Sequence, residues 1–171
     1  MDMLASTWYR LKQFFAALSA RLSLADRLFV AQMLTSTELR LFQQMPRYDQ
    51  RHCLDVYRTL EDGGYHDRLL LQAALLHDCG KVDDDGRPLP LLYYGLFVVL
   101  RRWLPGLYDL AARSGRGPLR RFAVHAAHEQ RSAHMAAAAG SAPELVALLR
   151  DYAERRATEQ TRALGWADEQ N

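Results

Sequence analysis

The 171-residue sequence predicts an all-α domain, on three observations. Apolar residues recur at helical spacing in almost every segment, and helix-starting and helix-stopping residues punctuate the chain. No alternating apolar–polar run between turn residues marks a strand. Leu4, Trp8, Leu11, Phe15, Leu18 and Leu22 step by four and three, an apolar stripe on one helical face. Thr35 and Glu38 form a capping-box pattern that starts a helix through Leu39, Leu41 and Phe42 to Pro46. A third helix begins near Asp49 and ends at Gly63-Gly64. A fourth runs from about Asp67 through LLLQAALLHD to Gly80, and residues 83–88 are a loop by composition. After Pro90 an apolar helix ends at Trp103-Leu104-Pro105, and a short helix ends near residues 115–118. Two more are expected over residues 119–139, with a break near His128, and over residues 143–164. Ser141 can cap the last, with Pro143 in its first turn.

Composition narrows the function classes. Apolar residues make up 49% and charged residues 25%, close to the soluble globular average, which excludes wholesale disorder. Lys+Arg number 22 against 20 Asp+Glu, a net charge of +2, so no specific nucleic-acid binding is expected. Two cysteines, Cys53 and Cys79, cannot build a disulfide framework or a four-thiolate zinc site, and reduced thiols in a cytoplasmic protein are expected. Asp2, Arg10 and Lys12 argue against a signal peptide. The longest uncharged apolar run, residues 89–100, is too short to cross a bilayer, which takes about 20 residues. The chain writes positive charge as arginine, with only two lysines, Lys12 and Lys81. A lysine inside a motif therefore departs from the habit of this chain and is a candidate for a specific role.

Six histidines are present: His52, His66, His77, His125, His128 and His134. The informative stretch is LLHDCGKV, residues 75–82, in which an apolar helix delivers His77 and Asp78 at its C-terminal end. An imidazole nitrogen beside a carboxylate oxygen suits a divalent ion such as Mn, Fe, Co, Ni or Zn. Neighbours on a regular helix diverge by about 100 degrees, so the two converge only near a helix end, which is where they lie. Behind LLLQAALL a bare carboxylate is costly without a partner. The alternative is a helix end with a charged cap. His52 shares a helical face with Val56 and either Thr59 or Leu60, and taken alone it reads as a core histidine before it reads as a ligand. His125 and His128, at i and i+3, face one way; His134 falls on the opposite side and reads as surface, as does His66 in its turn.

These residues resemble the HD-domain metal-dependent phosphohydrolases, an all-α family whose ordered pattern is a His, an adjacent His-Asp pair commonly followed by x-Gly-Lys, and a distant Asp. His52 matches the first His, His77 and Asp78 the pair, and Lys81 the lysine of HDCGK. Ala167-Asp168 with Asn171 looks like the closing AD..N element, which makes Asp168 the last ligand. HEQRSAHMAAAAGSAPELVALL, residues 128–149, looks like the family segment that carries a His for a second metal or the substrate phosphate, here His128. The resemblance covers about residues 36–171, so it implies one HD-type helical bundle domain there, with residues 1–35 as an N-terminal helical extension. The sequence departs from the pattern at Glu129 and Ser132, and has Asp151-Tyr152 where binuclear members carry histidines. The HD-GYP signature is absent. These departures favour one ion over two, although Asp151 could supply a ligand.

The resemblance implies a hydrolase for a small phosphate ester or anhydride, with nucleotides or signalling nucleotides the usual substrates. His52, His77, Asp78 and Asp168 would hold one divalent transition metal. Asp78 would also orient water, Lys81 would offset phosphate charge, and His125 and His128 would bind phosphate or protonate the leaving oxygen. The competing expectation is a non-enzymatic HD fold kept for interaction or regulation. Its motive is two apolar stretches. One carries Trp8, Phe14 and Phe15; the other, Leu91–Trp103, carries Tyr93, Tyr94 and Phe97 before Arg101-Arg102. Either could pack on the core, form a homodimer contact or lie on a membrane surface.

Overall fold

Four of the described helices start on short polar side chains. Ser23 Oγ accepts from the Asp26 amide (3.0 Å) while the Asp26 carboxylate accepts from the Ser23 amide (2.9 Å), which opens α1 (Leu24–Met33). The expected pair Thr35 and Glu38 opens α2 (Ser36–Gln44) in the same reciprocal way. α3 (Arg47–Asp62) follows Pro46 and stops at Gly63-Gly64, where Gly64 takes the left-handed φ of +85°. Asp67 caps α4 (Arg68–Leu76) by accepting from the Leu70 amide at 2.8 Å. These elements belong to a computed structural model that describes residues 22–83 and 85–171. Of the apolar stripe expected over Leu4 to Leu22, all but Leu22 lies outside them.

α4 ends earlier than the expected Gly80: His77 is its C-cap, and a 3-10 turn, Cys79–Lys81, follows. In the loop expected at residues 83–88, Asp83 accepts from the amides of Asp85 (2.9 Å) and Arg87 (2.8 Å). The chain continues through α5 (Leu91–Trp103), α6 (Pro105–Ser114), a 3-10 turn (Gly117–Leu119), α7 (Arg120–Ala126), α8 (His128–Ala138), α9 (Pro143–Ala153) and α10 (Glu159–Gln170). The break expected near His128 falls at Ala127, whose φ and ψ are −105° and 8°. The described residues are thus all-α, with one isolated bridge, Val82 to Pro88, and no strand.

Two expectations are corrected. The single helix over residues 143–164 is two helices. Exposed, charged residues 154–156 have nothing to bury, Arg155 takes a φ of +58°, and Thr158 restarts the chain by accepting from the Thr161 amide at 3.1 Å. Asp168 therefore sits in the last helix. Ser141 does not cap α9 either; Ala142 is the N-cap, and the Ser141 hydroxyl is buried with no hydrogen-bond partner among the described residues.

The main core joins α1–α4 to α8–α10 through Val30, Phe42, Leu54, Leu75, Leu145 and Leu164. Part of the sequence assigned to the N-terminal extension shares this core. Val30 of α1 is buried in it, and Gln72 Nε2 of α4 donates to the Met33 carbonyl at 2.8 Å. A second cluster, Leu89, Phe97, Tyr108, Ala111, Phe122 and Val124, is built by α5–α7 and the segment before them. Two tyrosines tie it to α3: Tyr48 donates to the Leu89 carbonyl (2.9 Å) and Tyr94 to Asp49 (2.7 Å). Phe97 is buried and Tyr94 donates to Asp49, so these two aromatics pack inward. No described helix is long and apolar enough to cross a membrane.

Candidate metal centre

α3 buries Asp49, Cys53, Val56 and Leu60 along one face, and His52 borders that face. α4 is buried over its last seven residues, so its C-terminal end is delivered into the protein interior. There Asp78 leaves helical geometry (φ −104°, ψ 0°), the sparsely used bridge region found at many active sites. Its carboxylate consequently meets the His77 ring, Oδ2 to Nε2 at 3.7 Å, where a regular helix would have turned it away.

Gly80 and Ser132 hold this turn against α8. A Cβ on Gly80 would stand 2.1 Å from the His128 carbonyl oxygen and 2.6 Å from the Ser132 amide nitrogen, so only glycine permits the approach. The buried Ser132 hydroxyl accepts from the Gly80 amide (2.8 Å) and donates to the His77 carbonyl (2.6 Å). The residue that departs from the family pattern here is a stitch between the turn and α8.

Four side chains from three parts of the chain converge. His52 Nε2 lies 2.9 Å from Asp168 Oδ1 and 3.7 Å from Asp78 Oδ2, and His77 Nε2 lies 3.5 Å from Asp168 Oδ1. His52, His77 and Asp168 each offer a ligand atom within 4.8 Å of the others, a spacing that can hold a metal ion. The chemistry of His77 sharpens this. A carbonyl only accepts, so Nδ1 at 2.8 Å from the Ala74 carbonyl must be the donor, and the neutral ring presents a bare Nε2. That Nε2 is buried without a hydrogen-bond partner among the described residues and faces two carboxylates. An imidazole anchored by one nitrogen, with the other left without a hydrogen bond and facing two carboxylates, is the arrangement from which a metal can displace a proton. Tyr152 completes the outer layer by donating to Asp168 Oδ2 at 2.9 Å.

A second group, Cys53, His77 and Asp78, also has metal-ligand spacing. It is the poorer donor set. Burial pushes the Cys53 thiol up, away from the thiolate a metal binds, and the nearest ring nitrogen, His77 Nδ1 at 3.9 Å, already donates to Ala74.

The electrostatics show how strongly this place calls for positive charge. Burial works against an ionised Asp78, yet Lys81, His77 and His128 hold its carboxyl well below the usual range. Burial also opposes an ionised Asp168, and the hydrogen bond with His52 together with the nearby His77 ring overcomes it to lower that group too. His77 responds in the opposite sense. Burial disfavours its charge, but Asp78, Cys53 and Asp168 raise it well above its ordinary value. Lys81 contacts Asp78 directly and lies 3.8 Å from Asp49; burial is again outweighed, by these two carboxylates, and its ammonium is kept charged.

Asp78, Lys81, His125, His128 and Asp168 open together onto one cleft of about 600 Å³ that Arg101, Tyr152 and Arg155 also line. His128 donates from Nδ1 to the His125 carbonyl (2.6 Å), which aims Nε2 at Asp78 Oδ1, 3.3 Å away. His125 is stacked between Phe97 (4.1 Å) and His128 (5.5 Å), with Nδ1 2.6 Å from the Tyr108 hydroxyl. Burial, then the His128 and Lys81 charges, depress it to about 3, so at neutral pH it can meet phosphate only as a neutral ring. Asp151 stands apart, paired with Arg156 at 3.0 Å. His66 and His134 are exposed, as their positions suggested.

Sequence reasoning missed Asp49, Tyr94 and Tyr152. Asp49 had a signal, since it lies three residues before His52 on the inward face of α3. Tyr152 had none, because adjacent Asp151 is the better ligand by chemistry and only the helix register turns Tyr152 inward. No family model, no curated protein and no solved structure matches this chain. What stands on geometry is an all-helical chain with a His/Asp cluster able to hold a metal ion, compatible with an HD-type fold.

Proposed function

We propose that this protein is a metal-dependent phosphohydrolase of HD type. The observation that carries the reading is the buried, unpartnered Nε2 of His77 facing Asp78 and Asp168 at the base of a cleft with Lys81. His52, His77, Asp78 and Asp168 would hold one divalent transition metal, for which two imidazoles and two carboxylates are a suitable donor set. Bound there, the ion supplies Lewis acidity toward a phosphoryl oxygen and toward water.

The protein's own groups do the rest. Lys81, held by Asp78 and Asp49, places an ammonium where charge builds on phosphoryl oxygens. Asp78 has one oxygen toward Lys81 and the other toward His128, so it can orient a water while it ligates. His128 Nε2 is placed to carry a proton to the leaving oxygen. Arg101 and Arg155 at the cleft wall suit an anionic substrate, a small phosphate ester or anhydride such as a nucleotide.

Elemental analysis of the purified, tag-free protein beside Asp168→Ala tests the reading. About one transition metal per chain, lost in the variant, is expected, with phosphatase activity on a screen of nucleotides and phosphate esters lost in parallel. No metal after reconstitution with Mn, Fe, Co, Ni or Zn would overturn it and leave a structural or partner-binding role.

A further inference from the structure

The near-neutral charge of the whole chain hides a polarised part. Residues 91–121 carry six arginines, Arg101, Arg102, Arg113, Arg116, Arg120 and Arg121, against a single acid, Asp109. These residues include the α5–α6 hairpin, which has its own small core and buries Phe97, Tyr108 and Ala111 toward it. Its other side is apolar and open. Leu92, Leu96, Val99 and Trp103 recur at i, i+4, i+7 and i+11, one face of α5, and Leu104, Leu107 and Leu110 continue the stripe across the turn and along α6. All are exposed, Leu92 at 83% and Leu110 at 65%. Scattered surface leucines need no explanation, but seven exposed apolar residues on two successive helices in an arginine-rich segment do.

We infer that the α5–α6 hairpin seats this protein on an anionic lipid surface, with the stripe entering the acyl boundary and Arg102, Arg113 and Arg116 meeting headgroup phosphates. Charge selects this occupant. A second copy stacked on the stripe would bring Arg102 and Arg113 against their own counterparts. Residues 1–21 are also net basic, with Arg10, Lys12 and Arg21 against Asp2, and gain nothing from an arginine-flanked face. Anionic headgroups have the complementary sign, and an amphipathic helix with Trp103 beside basic residues is a shape such an interface accepts. The inference rests on the stripe and its charge, and stands or falls apart from the hydrolase reading.

The test is co-sedimentation of the full chain with vesicles of phosphatidylcholine alone and of equimolar phosphatidylcholine and phosphatidylglycerol, at low and high salt. Binding to the mixed vesicles at least about tenfold tighter than to phosphatidylcholine, weakened by salt, is expected. Leu96→Ser/Trp103→Ser and, separately, Arg102→Gln/Arg113→Gln/Arg116→Gln should each lose at least about tenfold, with melting temperatures within a few degrees of the parent. Protein left in the supernatant with both vesicles overturns the inference. So does a dimer in sedimentation equilibrium that Leu96→Ser/Trp103→Ser dissociates, since the stripe then belongs to a second copy. Loss of binding on deleting residues 1–21, with both hairpin variants binding like the parent, overturns it as well.

Discussion

A single methyl group added at Gly80 should damage this protein far more than the same methyl added at Gly95. At Gly80 the new carbon would lie 2.1 Å from the His128 carbonyl oxygen, 2.6 Å from the Ser132 amide nitrogen and 2.8 Å from Arg131 Cβ, whereas ordinary contacts begin near 3.4 Å. The first two are backbone atoms and cannot rotate away, so α8 must retreat by more than about 1 Å, a shift a close-packed interior resists. That retreat strains the Gly80–Ser132 hydrogen bond (2.8 Å) and the Ser132–His77 bond (2.6 Å), both buried. Overpacking costs about 1–3 kcal/mol and an unmade buried hydrogen bond about 1–3 kcal/mol, so a loss near 4 kcal/mol is expected. Gly95 lies inside α5 with no atom within 4 Å of its added Cβ. Alanine there should stabilise by about 0.5–1 kcal/mol through helix propensity alone. Urea denaturation followed by far-UV circular dichroism measures both, and the midpoints should move in opposite directions. A Gly80→Ala protein within about 1 kcal/mol of the parent would refute the close approach of the turn to α8 and the site geometry built on it.

Other consequences can be measured independently. Tyr152→Phe removes the hydroxyl that orders Asp168 Oδ2; metal affinity by competition with a chelator should fall about tenfold or more, with the fold retained. Lys81→Met leaves Asp78 and Asp49 facing each other without their cation and should destabilise the metal-free protein by about 3–5 kcal/mol in urea melts. pH should act in opposite senses with and without metal. His77 is raised above its ordinary 6.5, so its share of the metal-free protein's stability is complete below that value and is lost as pH rises through the folded pKa. Metal binding competes with the same protons, so the metal-loaded melting temperature should climb over that window, and parallel profiles would count against His77 as a ligand.

Much of the helical architecture was legible because its causes are local. The Thr35 and Glu38 pair, the glycine stop after α3 and the break before His128 each depend on residues within a turn of one another. The pair His77-Asp78 was legible as chemistry at the end of an apolar helix. The split between α9 and α10 was not, because the apolar spacing continues past residues 154–158 and the break depends on Arg155 entering the left-handed region. Gly80 read as a turn residue, but it is not among the left-handed glycines; what demands glycine is the contact with α8, some fifty residues away.

The sequence by itself determined most of the helices, the polar start at Thr35 and the residue types that can ligate a metal, since each follows from neighbours within about four positions. Tertiary structure decided which of those residues meet. His52 and Asp168 are separated by 116 positions and lie 2.9 Å apart, and Lys81 is caught between Asp78 of its own turn and Asp49 of α3. It also decided that His77 keeps one nitrogen on a carbonyl and leaves the other without a partner. The reason is burial: hydrogen-bond partners, and the shifts of charge they impose, exist only once α3, α4, α8 and α10 have excluded water from the space between them.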